Sequence, residues 1–354
     1  MNFSDSVPWD PPAPRELPAL RERQAEYLLS DASLSATAMA MQKGLGTIRP
    51  AANSWEAAAL LLRDEHQRLS RAKLFCFTAE ITQLVQHAAR SVADHWTVEP
   101  EELPALTGFA VFPAPLAMYT RIDGVEEPIV AFSWGPTDLM GSPEEGVWIT
   151  FWAATDYAAV ERELRNTGLH GSKAAQFARR LHAELTWDNE IYLPFGCASA
   201  PELPSPTSAP RLADSHSIVA AQSTASWLSV VIAAWLFCQP NSFTVAEDEH
   251  LPRTLRRRAE RAGLDASPVR VVSVSRMRRS ARSRPTEPSG RTVGVRFPIG
   301  PFVRQQAYGP GHQLRKRKLV AGHWRGPVDA PIRIGKTVNL VDRPLANDGQ
   351  GAGE

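Results

Sequence analysis

Four short runs rich in β-branched and aromatic residues, Gly108–Phe112, Met118–Ile122, Pro128–Trp134 and Val147–Trp152, lie close together in the middle of the chain. Such a cluster commits the centre of the protein to a sheet, because these side chains pack well on a pleated surface. Asp123-Gly124 separates the second and third runs in the manner of a hairpin turn, which makes the pairing antiparallel. Strict alternation puts Ile129, Ala131 and Ser133 on one face and Val130, Phe132 and Trp134 on the other. Leu74–Phe77 reads as a short buried strand, and Trp187–Phe195 as another, ended by Pro194.

Helical patterns flank these strands. Residues 15–30 place Leu17, Leu20, Tyr27 and Leu28 among charges. A second helix starts at Ser54 as N-cap, with Trp55, Ala58, Ala59, Leu62 and Leu69 on one stripe. Thr78 caps a third, carrying Ile81, Leu84, Val85, Ala88 and Val92, with His87 off the stripe at the surface. Asp156–Asn166 ends at Gly168, a favourable C′ glycine. Ser172 caps a helix that lays Ala174, Phe177, Ala178, Leu181 and Leu185 on one face. A long helix runs from His216 to Cys238 after a Pro/Ser/Ala-rich loop at 198–212. Its apolar part, Ala225–Cys238, is shorter than the roughly 20 residues that cross a bilayer. The expected class is α+β, with a mixed or largely antiparallel sheet and packed helices.

Charge then divides the chain. From Leu251 onward there are 22 Lys and Arg against 7 Asp and Glu, a balance of +15; the first 250 residues hold the other 17 and 31, a balance of −14. Two regions of opposite sign face different partners or each other. Pro252–Ala262 reads as a basic helix and Val269–Val274 as a strand. Ser275–Arg291 is Arg/Ser/Pro-rich without periodicity, as a linker is. Beyond it Thr292–Phe297, Phe302–Tyr308, Gln313–Trp324 and Pro331–Val341 are short extended runs separated by Pro/Gly turns. The organisation expected is an acidic body over 1–274, a linker over 275–291, a small basic β module over 292–345 and a tail over 346–354. About fifty residues bury little core alone, so the module docks on the body or orders with a partner.

The chemistry-bearing residues sort by region. In the body the enzyme candidates are Asp138, Asp188 and Glu190, beside Trp134, Trp187 and Tyr192, with Glu144 and Glu145 nearby. Two carboxylates in unlike environments can do acid–base work. In the module Arg296, Arg304, Arg315, Lys316, Arg317, Lys318, Arg325 and Arg333 are interleaved with Phe302, Tyr308, His323 and Trp324. Cations on a strand platform neutralise phosphates, and exposed aromatics stack on bases. On an extended strand Arg315 and Arg317 share one face, Lys316 and Lys318 the other. A strand so charged on both sides is expected at an edge, with neither face well buried.

Several alternatives fall away. Ala330–Thr337 fits a loose phosphate-loop spacing, but strand-like Val338–Val341 and Pro344 follow where a helix must open. His312 and His323 lack further ligands at metal spacing. Cys76, Cys197 and Cys238 are distant from one another and read as buried small hydrophobes in a reducing cytoplasm. Met1–Pro14 has no basic residue ahead of an apolar run, so no signal peptide is expected.

Pro301-Phe302-Val303-Arg304-Gln305-Gln306-Ala307-Tyr308-Gly309-Pro310-Gly311, Gly322-His323-Trp324-Arg325-Gly326-Pro327 and Asp329-Ala330-Pro331 resemble the end of an uncharacterised protein family of actinobacteria, their phages and mobile elements. Ser133-Trp134-Gly135-Pro136 and Leu193-Pro194-Phe195-Gly196 are similar to that family's body. The basic-strand and His-Trp ending is also faintly similar to anti-CRISPR-type proteins. The resemblance implies a phage, plasmid or host-defence setting and no catalytic residue. On the −14/+15 charge split, the function expected is non-enzymatic binding of RNA, DNA or a ribonucleoprotein through the module. No cofactor, metal or membrane contact is expected. The alternatives are an enzyme using the body's carboxylates, and an assembly protein whose basic module docks on an acidic surface of its own or of a partner.

Overall fold

The computed structural model describes residues 9–43, 50–92, 97–120, 126–139, 146–169, 171–196, 217–239, 244–261, 266–274, 295–327 and 331. Asp123-Gly124, Glu144, Glu145, Cys197, the loop at 198–212, the linker at 275–291, Arg333 and the tail at 346–354 lie outside the described residues.

The chain opens with three helices, α1 (Leu17–Leu28), α2 (Asp31–Gln42) and α3 (Ser54–Ser70), and then enters β1 (Lys73–Phe77), α4 (Ala79–Ala89) and β2 (Gly108–Val111). Four strands and two helices follow: β3 (Ala117–Thr120), β4 (Glu126–Gly135), β5 (Gly146–Ala154), α5 (Tyr157–Asn166), α6 (Ser172–Leu181) and β6 (Leu185–Pro194). The body closes with α7 (Ser217–Cys238), β7 (Thr244–Glu249), α8 (Arg253–Arg261) and β8 (Val269–Val274). Four short strands complete the described chain: β9 (Phe297–Ile299), β10 (Phe302–Tyr308), β11 (Leu314–Val320) and β12 (His323–Arg325).

The architecture is mixed α/β. One sheet runs in the order β6-β5-β4-β2-β1-β8-β7, with β3 also paired to β4. The β1–β2 and β1–β8 ladders are parallel, and the others in this sheet are antiparallel. Helices cover both faces. One face packs Phe75, Phe132, Trp134, Ile149 and Phe151 under α4 and α7. The other packs Phe109, Val111, Val130 and Trp152 under α1 and α3. Beside this second layer, Trp148 and Tyr192 lie under the α2–α3 pair. Among the described residues, no helix is long and apolar enough to cross a membrane.

The β4 alternation expected from sequence holds only past Val130. Ile129 pairs with Ala153 and Ala131 with Trp152, so Val130 is an extra residue on β4. This bulge sends Ile129 to the α4/α7 face along with Phe132 and Trp134, while Val130 and Ala131 both face α1 and α3.

Two caps move by one residue. Asn53, not Ser54, caps α3, its side-chain oxygen accepting from the Trp55 and Glu56 amides. Gly171, at φ 65°, precedes α6, leaving Ser172 as its first residue. Thr78 caps α4 and Gly168 follows α5, as the sequence implied. The α3 stripe is rotated from the expected one. Trp55 is exposed, while Glu65 and Arg68 are buried with Ala57, Ala58, Leu61, Leu62 and Leu69. Two charged residues belong to the buried face, so an apolar pattern alone mislocates it. On α6 only Ala174 and Ala178 are buried and Phe177 is exposed, because α6 packs on α5 at the rim. Leu185 belongs to β6. The edge strand β7, TVAEDE, has no counterpart in the sequence expectations.

Candidate nucleic-acid interface

β10 and β11 form an antiparallel hairpin with Phe302 opposite Val320, Val303 opposite Leu319, Arg304 opposite Lys318, Gln305 opposite Arg317, Gln306 opposite Lys316, Ala307 opposite Arg315 and Tyr308 opposite Leu314. The turn Gly309-Pro310-Gly311-His312 reverses the chain with positive φ at Gly309, Gly311 and His312. The register sorts the side chains onto two faces. Val303, Gln305, Ala307, Arg315, Arg317 and Leu319 share one. Phe302, Arg304, Gln306, Tyr308, Leu314, Lys316, Lys318 and Val320 share the other.

The first face docks on the body. Val303 and Leu319 are buried in the same core cluster as α4 and α7. The Val303 amide donates to Ser91 Oγ at 2.7 Å. Arg317 pairs with Glu102 at 2.5 Å and also donates to the Thr97 carbonyl, with only 5% of its side chain exposed. Gln239, at the end of α7, donates to the Glu102 carbonyl and ties the same corner down. The expectation that neither face of β11 is well buried holds near the turn, where Arg315 is exposed, and fails at the other end, where Leu319 is buried. Arg317, neutralised by Glu102, lets that end of the inner face leave water. Arg317 is consequently removed from the set available to a ligand.

The second face points outward. Arg304, Lys316 and Lys318 are exposed, as are Tyr308 at 41% and Leu314 at 51%. Lys316 Nζ lies 5.2 Å from the Tyr308 ring centre, a cation–π contact. Among the described residues, Arg304, Lys316 and Lys318 have no ion-pair partner. Arg304 and Lys318 stand directly opposite each other, an arrangement that destabilises a ladder unless an anion is shared. The second short ladder, β9 with β12, places His323 opposite Ile299 and Arg325 opposite Phe297. His323 and Arg325 are exposed, and the His323 ring is 6.5 Å from that of Phe302. The Trp324 side chain and Arg333 lie outside the described residues. Arg315 is exposed but folds back on the turn, donating to the His312 carbonyl at 2.7 Å. Arg296 is half-buried, and its backbone amide donates to the Pro331 carbonyl. His87 is exposed on α4, with Gly300 seated against its ring: a Cβ there would fall 2.3 Å from Nε2.

The body's candidate carboxylates are placed differently from one another. Asp138 is exposed on the loop after β4. Asp188 is the bulge residue of β6, since Asn189 pairs with Phe151 and Trp187 with Trp152. Glu190 is buried, opposite Thr150, and accepts from Trp187 Nε1 at 2.9 Å.

Sequence reading missed a buried, highly connected polar group. Glu65 on α3 is fully buried and accepts four hydrogen bonds: Ser133 Oγ at 2.5 Å, Thr150 Oγ1 at 2.7 Å, and Arg68 Nη2 and Nε at 2.8 and 3.0 Å. The two hydroxyls in turn accept from Trp152 and Trp148. Arg68 also reaches Asp64 and the Pro136 carbonyl, and lies over the Trp148 ring. Ser133, Thr150 and Glu190 form one row across β4, β5 and β6. With four donors converging on one buried carboxylate, this is a structural network holding α3 to the sheet.

Burial pushes the Cys76 thiol up to about 11, with Glu249 adding to the shift, and drives Cys238 far higher despite Arg270. Neither is a poised nucleophile. Among the described residues, no group of three or more His, Cys, Asp or Glu is placed to hold a metal ion. No family model matches the chain, and no curated protein matches it.

Proposed function

We propose that this protein binds nucleic acid, without catalysis, through the outward face of the β10–β11 hairpin, with the three-layer body as scaffold. The observation that carries this reading is the facing pair Arg304 and Lys318, with Lys316 next along the ladder and no carboxylate paired to any of them among the described residues. A cationic cluster held together on a docked ribbon loses part of its mutual repulsion when phosphates bridge it.

Fluorescence anisotropy of the full chain with labelled oligonucleotides tests the reading. The affinity should fall linearly on a log–log salt plot, with a slope of about −0.7 per neutralised phosphate for single strands. Arg304→Ala/Lys316→Ala/Lys318→Ala should reduce that slope by about 2, since three contacts are lost. An unchanged slope, or no affinity at low salt, overturns the proposal. Salt-sensitive self-association without nucleic-acid affinity would instead select an assembly role. Point variants are needed because deleting the hairpin removes Val303 and Leu319 from the core.

A further inference from the structure

Resting on that reading, we infer that the ligand is a single strand whose bases stack on the ends of the hairpin, rather than a duplex. The inference comes from where the aromatic rings stand relative to the cations. On the outward face the order along the ribbon is Phe302 with Val320, then Arg304 with Lys318, then Gln306 with Lys316, then Tyr308 with Leu314. Aromatic rings bracket the cations at both ends. Tyr308 is exposed at the turn, its ring already steadied by Lys316. At the far end His323 is exposed and stands next to the half-buried Phe302, their rings tilted by 50°.

Phe302 and Tyr308 are six residues apart on one strand, which at about 3.3 Å per residue separates the two ends by roughly 20 Å. A single strand laid along such a ribbon meets cations in the middle and a π-surface at each end. A duplex keeps its bases stacked on one another and offers the ribbon only phosphates and groove edges. The exposed rings then contribute nothing that a leucine would not. The chemistry recognised is thus phosphate plus an unstacked base, common to single-stranded RNA and DNA.

The closing measurement separates this inference from the reading it rests on. The full chain is titrated by fluorescence anisotropy with four probes of equal length: single-stranded RNA, single-stranded DNA, the DNA duplex, and a strand of abasic sites with the same phosphates. The two base-bearing single strands should bind at least tenfold tighter than either the duplex or the abasic strand. Tyr308→Ala should weaken binding to the single strands by about tenfold without changing the salt slope, and Tyr308→Phe should restore it, because stacking and not charge is lost. Tyr308 is exposed, so neither substitution disturbs the core. A difference between the RNA and DNA strands would identify which of the two the site prefers. Equal binding of duplex, abasic and single strands, or a Tyr308→Ala variant indistinguishable from the parent, overturns the inference while leaving phosphate binding intact. Failure of every probe to bind overturns the reading beneath it.

Discussion

Replacing Arg68 by methionine removes half of the hydrogen bonds to the buried Glu65 carboxylate and leaves that charge inside the protein. Of the four donors to Glu65, two belong to Arg68, and the remaining two are the neutral hydroxyls of Ser133 and Thr150. Stranding one member of a buried ion pair costs about 3–5 kcal/mol. Asp64 adds little, because its side chain is 14% exposed and keeps Thr137 Oγ1 as a donor. The expected loss for Arg68→Met is therefore about 4 kcal/mol, a large share of the roughly 5–15 kcal/mol that holds a domain folded. Glu65→Leu leaves both hydroxyl protons without an acceptor, at about 1 kcal/mol each, while Arg68 keeps Asp64 and the Pro136 carbonyl as partners. In the double variant Glu65→Leu/Arg68→Met both charges are gone, and only the two hydroxyls lack acceptors, at about 1 kcal/mol each. The double variant should therefore be more stable than Arg68→Met alone. Urea unfolding at neutral pH, followed by tryptophan emission, reads this directly, since Trp148 and Trp152 donate into the network. Additive costs, or an Arg68→Met loss below about 1 kcal/mol, would show that the pair does not hold α3 to the sheet as argued.

The remaining predictions concern titration and reactivity. Burial lowers the His182 pKa below 6.5, with Glu163 opposing. The unfolded chain then binds the proton more readily, so the contribution of His182 is full above pH 6.5 and is lost as pH falls through and below it. Melting temperatures measured from pH 7.5 down to 5 should fall less steeply for His182→Gln than for the parent. In a Cys197→Ala background Cys76 and Cys238 should both resist a thiol-specific disulfide reagent at pH 8 and react promptly in denaturant, because burial holds both thiols protonated. Fast labelling of either in the native protein would contradict its placement.

Much of the fold was legible because local pattern and tertiary packing agree. The stripe from Ile81 to Val92, along α4 and just beyond it, and the Leu74–Phe77 strand are apolar where they face the core. The failures share a cause: the information lay in a partner distant in sequence. Glu65 and Arg68 look like solvated helix charges until Ser133 and Thr150 are brought beneath them. β7 carries exposed Glu247, Asp248 and Glu249, so a strand at the rim of the sheet shows no hydrophobic alternation. It is recognisable only from its ladder with β8, where Asp248 meets Arg270. At the hairpin, alternation correctly separated Arg315 and Arg317 from Lys316 and Lys318. It did not tell Arg317 from Arg315, because Glu102 is what distinguishes them. The extra residue Val130 was likewise invisible, since a bulge is set by the partner strand rather than by its own composition.

The position of β8 also governs how the chain is made. Its ladder with β1 sets Val269 beside Leu74 and Val272 beside Phe77, joining the latest strand of the sheet to the earliest. During synthesis β1 emerges long before its neighbour and keeps one backbone edge unpaired, beside Leu74, Phe75 and Phe77. Parallel pairing across so long a loop closes slowly. A ribosome stalled before residue 269, or a nonsense product ending there, leaves an apolar edge open to any other strand. Such fragments are expected in the insoluble fraction, whereas chains reaching Val274 can complete the sheet.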